Sequence, residues 1–220
     1  ADCVASRHML EVESGSSAAV KAKILTQSLK RAPRLMARLY RRSSSLGICE
    51  ILSRFDCQQV PAVLFDYGRF RDAYKGRDHK EIVNDLYEEE SLLALPQIVY
   101  ADSAASFNPS IAAVIEDERA AVATGFSESK YTDNDQIAWI AAEIDSKLEP
   151  GPELGEQWCD RLEAVAAGAN VDRRQIWLIA PEGFSPEALD LLRQRNAFGA
   201  SRQQALLLNR FLDPMRIEDA

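Results

Sequence analysis

In the stretch IAWIAAEIDSK, Glu143, Asp145 and Lys147 stand at every second position. Alternate side chains of an extended strand share a face, so a strand running through this stretch would point all three the same way. Two carboxylates can hold a divalent cation such as Mg2+, and a lysine beside them can orient an attacking water and offset phosphate charge. That set suits hydrolysis of a phosphodiester. Holding Mg2+ well takes a further acid from a neighbouring element. Asp133 and Asp135, in TDND just before the strand, are the nearest candidates, and Asp117 is a weaker one. The competing reading is a solvated, ion-paired strand end.

Other chemistries find less support. The chain has only two histidines, and His8 lies in SRHMLE, which reads as a cloning remnant. Histidine-rich zinc sites and serine–histidine–acid triads are therefore poor fits. Cys3, Cys49, Cys57 and Cys159 form no CxxC and read as reduced thiols. No GxGxxG or GxxxxGK[ST] accompanies Gly125 or Gly183, which suit turns. Trp139, Trp177 and Trp158 fall on three separate apolar elements, as core residues would. Glu182, in IAPEGF, reads as a turn acid at the end of a core strand.

The elements that must position these residues follow from periodicity. Residues 18–42 read as helix, interrupted at Pro33. Residues 43–77 hold only short apolar runs. A helix capped by Asp78 is expected over His79–Leu95, stopped by Pro96. Beyond it the pattern turns extended. QIVYA reads as a strand, IAAVIE and AAVATGF as a hairpin about EDER, and IAWIAAEIDSK as the strand that follows. EPGPELGEQWCDRLEAVAAGAN reads as a break and then a helix, followed by the continuously apolar QIWLIA, the kind of strand buried on both faces. Ser185 and Pro186 open a further helix, and AFGAS and RQQALLLNRFL close the order. Helices covering a mixed sheet make an α/β architecture.

The block 111–212 resembles the PD-(D/E)XK, or restriction-endonuclease-like, superfamily. The resemblance rests on Asp145-Ser146-Lys147, with Glu143-Ile144-Asp145 as an alternative register, and on QIWLIAPEGFSPEALDLLRQRN. In that family a hairpin leads to a strand carrying (D/E)xK, then a helix, a core strand and another helix. The resemblance implies a restriction-endonuclease-like core and a Mg2+-dependent nuclease. Glu143, Asp145 and Lys147 would be its catalytic groups, and Asp133, Asp135 and Asp145 its metal-binding acids. The chain lacks the Pro-Asp dipeptide of the family's pattern, so the first metal-binding acid is not pinned. Many members of the family keep the fold without catalysis, and a protein-interaction or scaffold role is the alternative function.

Charge divides the 220 residues unevenly. Residues 1–42 carry nine Lys/Arg against three Asp/Glu, leaving 17 basic against 31 acidic residues in the remainder. Lys30, Arg31, Arg34, Arg38, Arg41 and Arg42 would present a basic helical face, within 21–42, to nucleic acid or to an acidic protein partner. The acidic remainder repels bare phosphate. Nothing approaches a membrane span of about 18 apolar residues or a secretory signal, so a cytoplasmic protein is expected. Three regions are expected: a flexible or cloning-derived lead-in over 1–17, a helical, partly basic region over 18–95, and the α/β domain over 96–220.

Overall fold

The computed structural model describes residues 45–128, 131–146 and 149–212. Contacts divide the chain at Ser45, so residues 45–95 belong to one compact unit with the sheet. They do not form a helical region of their own. This stretch supplies α1 (Ile48–Ser53), β1 (Gln59–Pro61), a 3-10 turn over Ala62–Phe65, α2 (Tyr67–Tyr74), α3 (His79–Tyr87) and β2 (Leu92–Ala94). β3 (Gln97–Ser103), α4 (Ala104–Phe107), β4 (Ala120–Phe126), β5 (Gln136–Glu143), α5 (Pro152–Gly168), β6 (Arg174–Ala180), α6 (Pro186–Gln194), β7 (Ala197–Ser201) and α7 (Arg202–Phe211) follow.

The main sheet has five strands in the order β3-β4-β5-β6-β7. Its first three run antiparallel, and β5, β6 and β7 run parallel, joined by α5 and α6. The sheet is therefore mixed and open, flanked by helices, with β3 and β7 at its edges. A second sheet pairs β1 with β2.

The two faces of the sheet bury two separate cores. On one face Trp139, Ala141, Trp177 and Ile179 pack with residues of α1, α3, α7 and the 3-10 turn. The other face sets Val122, Ile140 and Leu178 against α5 and α6. β5 serves both, which is why its sequence is apolar without alternation. The Phe65 ring sits 5.6 Å from Trp139 and 5.1 Å from Trp177, and Phe55 meets Trp139 edge-on at 5.2 Å. The tryptophans are core residues, as read from sequence.

Local signals placed several boundaries correctly. Asp78 accepts from the Lys80 N–H, and Ser185 from the Ala188 N–H with Pro186 in the first turn. Three boundaries differ. α3 stops at Tyr87, because three acids at its C-terminal end oppose the helix dipole and Leu93 pairs with Val60 in the small sheet. IAAVIE forms no strand. Asn108 and Pro109 start a 3-10 turn there, and β4 takes β3 as its hairpin partner. β5 ends at Glu143, so Asp145 lies beyond the strand.

Candidate functional site

Glu143 ends β5 on the face it shares with Trp139 and Ala141. Its side chain is wholly buried. In the antiparallel pair, Ala142 opposes Ala120, which brings Arg119 beside Glu143. In the parallel direction Glu143 opposes Ile179, and Ala180 opposes Ser201, the residue before Arg202. Arginines therefore reach the acid from both sides.

The contacts are specific. Arg202 Nη1 donates to Glu143 Oε1 in a short ion pair. Arg119 Nη1 stands 3.9 Å from Glu143 Oε2, and the Leu46 N–H donates to the same oxygen at 3.2 Å. Arg119 also donates through Nε to Glu116 at 2.9 Å. Arg202 is held by the start of α7, where Ser201 and Gln204 form a reciprocal capping box. Gln204 in turn donates to the Val63 carbonyl at 2.8 Å. A buried carboxylate matched by two guanidinium groups and a backbone N–H has its charge and its lone pairs largely occupied.

The acids of TDND lie elsewhere. Asp133 and Asp135 form a 3-10 turn before β5, at the opposite end of the strand from Glu143. Eight residues of strand at about 3.3 Å each separate the two ends by roughly 25 Å, whereas acids sharing one Mg2+ must each lie about 2 Å from it. Asp133 and Asp135 cannot complete a metal site with Glu143 or Asp145. Asp135 instead accepts from the Thr132 hydroxyl at 2.5 Å, and Asp133 from Gln136 at 3.4 Å. Asp145 is exposed beyond the strand, so it does not share the face of Glu143 by strand alternation. Lys147 lies outside the described residues, as do Lys30, Arg31, Arg34, Arg38, Arg41 and Arg42. Among the described residues no group of three or more His, Cys, Asp or Glu is placed to hold a metal ion.

A second set of polar groups gathers near the turn after β6. Tyr67 packs against Gly183, whose φ is +90°, so closely that an added Cβ would lie 2.0 Å from the ring. The Tyr67 phenol has its pKa raised, chiefly by burial and then by the charge of Glu149, to which it is hydrogen-bonded. Glu182 adds to this negative field, and Arg71, 5.9 Å from the Tyr67 ring centre, opposes it. The cluster fixes the turn between β6 and α6.

No family model matches the chain, and neither a curated protein nor a solved structure does. Arg119 and Arg202 are the partners of Glu143 that sequence reading missed. Each stands at a strand end, Arg119 just before β4 and Arg202 just after β7, and that position carries meaning only once the strand order is known.

Proposed function

We propose that this chain carries a restriction-endonuclease-like core whose catalytic end has become a buried ion-pair cluster, and that it acts as a protein-interaction or scaffold module. The observation that carries this reading is Glu143 held between Arg119 and Arg202. The element order supports the family assignment: a hairpin, the strand ending in Glu143, a helix, a core strand and another helix. In the Glu143-Ile144-Asp145 register an acid stands where the motif would have its lysine, and an arginine flanks the acid where a metal would need another carboxylate. Both departures remove groups that phosphodiester hydrolysis needs. The basic segment 21–42 is the proposed contact for an acidic protein partner.

The rival reading is a Mg2+-dependent nuclease using Asp145 and Lys147, favoured by the Asp145-Ser146-Lys147 triplet and the exposure of Asp145. Thermal unfolding with and without Mg2+ or Mn2+, beside cleavage assays on mixed DNA and RNA, separates the two. The module reading expects no metal-dependent rise in Tm and no cleavage. Metal-dependent cleavage abolished by Asp145→Ala or Lys147→Ala would overturn it. Gel-shift titration tests the basic segment. Nucleic-acid binding lost in the double variant Arg38→Glu with Arg41→Glu would replace the acidic protein with nucleic acid as the partner.

A further inference from the structure

The outer edge of β7 borders a cavity that shares no lining residue with the Glu143 cluster. It lies between α6 and the segment joining the 3-10 turn to α2, and its volume is about 350 Å3. That falls within the range of small-ligand sites. Phe198, partly exposed, is its most accessible large apolar side chain, over a floor of the nearly buried Phe65, Leu189 and Leu192, and Arg69 and Arg193 bring two guanidinium groups to it. Asp66 is its single carboxylate, and that group is already committed: its Oδ1 accepts from the Arg69 N–H at 3.1 Å as the cap of α2.

The two arginines retain donors. Arg193 donates through Nη1 to Asp190 at 2.8 Å, while its Nη2 stands 3.6 Å from Asp66, beyond hydrogen-bonding reach. A guanidinium has five N–H groups, so most of those on Arg193 stay open to a further acceptor. Arg69 meets Glu89 only at 3.9 Å. Both side chains are about half exposed, at 52% and 56%. Gly68 gives Arg193 its room, since an added Cβ there would lie 3.2 Å from Nη2. At one end of the cavity Asp66 and Gly199 form a single parallel bridge, which closes the β7 edge beyond Phe198 to strand pairing. The space suits a compact ligand rather than a long added strand.

We propose that this cavity binds a small amphiphilic carboxylate, its aryl or branched alkyl group against Phe65, Phe198, Leu189 and Leu192 and its carboxylate between Arg69 and Arg193. The proposal is independent of whether the chain is a nuclease. A free acid and the C-terminal residue of a peptide offer the same chemistry.

Isotope-labelled full-length protein, titrated while its backbone amide resonances are followed, tests the site. The probes are phenylacetate, N-acetyl-L-phenylalanine and the tetrapeptide Gly-Gly-Gly-Phe, with N-acetyl-L-phenylalaninamide as the uncharged control. Saturable shifts confined to residues 62–69 and 189–199 are expected from at least one acid. The amide control should bind about tenfold more weakly or worse than N-acetyl-L-phenylalanine, having lost a charge-assisted contact. Tighter binding of the tetrapeptide than of the two small acids identifies a peptide C-terminus as the source, and the reverse identifies a free acid. The double variant Arg69→Gln with Arg193→Gln, verified as folded by its thermal unfolding, should lose the preference for acid over amide. Three results would each overturn the proposal: no saturable shift with any acid, equal affinity for acid and amide, or shifts centred elsewhere.

Discussion

Glu143 is the residue on which the functional reading turns, because its surroundings determine what a carboxylate at that place can do. An acid poised for metal would have open lone pairs and a second carboxylate nearby. Glu143 has Arg202, Arg119 and the Leu46 N–H instead. Glu143→Ala takes the buried acid away from Arg202 and Arg119, and removing one partner of such a set costs about 3–5 kcal/mol. Asp145→Ala, at an exposed position beyond the strand, should cost no more than about 1 kcal/mol, the range of a solvated surface contact. Urea unfolding of both variants checks the contrast. A destabilisation by Glu143→Ala as small as that of Asp145→Ala would contradict the buried cluster. Cys159 gives a second prediction at this scale. Burial pushes its thiol up to about 11, with Arg195 opposing the shift, whereas Cys57 is exposed. The thiolate is the reactive form, so iodoacetamide at neutral pH should label the native protein's Cys57 and spare Cys159. Peptide mapping reads the outcome.

At the scale of elements, the turn from β6 into α6 depends on a contact with α2. Gly183 adopts a left-handed φ of +90° and has the Tyr67 ring against it. Gly183→Ala therefore combines backbone strain with a clash, and a loss of about 2 kcal/mol or more is expected in urea unfolding. Tyr67 links this contact to pH. Its folded pKa is raised, so its contribution is fully present below the unfolded value near 10 and is lost as pH rises through the folded value. Tyr67→Phe cannot ionise. The variant should lose less stability than wild type as pH rises above about 10, measured as the shift in urea midpoint. Equal losses would remove Tyr67 from the alkaline transition.

Over the molecule as a whole, two cores on opposite faces of one sheet make β4, β5 and β6 the best-protected strands. Val122, Ala138, Ile140, Ala141, Trp177 and Leu178 are all fully buried there. The three-residue strands β1 and β2 have no such cover on both sides, and Leu92 is half exposed. Native-state hydrogen exchange should be slowest in β4–β6 and markedly faster in β1 and β2. Among the described residues no helix is long and apolar enough to cross a membrane.

The sequence by itself determined the α/β class, the order of elements from β5 onward, and the caps at Asp78 and Ser185. These rest on periodicity and on contacts within a few residues, which a linear reading captures. It also marked the stretch from Glu143 through Asp145 to Lys147 as the place where chemistry would be sought, though as one strand running through all three. It could not say what stands beside Glu143. Arg119 lies 24 positions before Glu143 and Arg202 lies 59 positions after it, and only the pairing of β4, β5, β6 and β7 brings them together. The extension of β5 itself puts Asp133 and Asp135, close to the motif in sequence, a full strand length away from Glu143. Proximity along an extended chain is distance in space, because each strand residue advances the backbone by about 3.3 Å. Tertiary structure, by laying strands side by side, decided which charges meet.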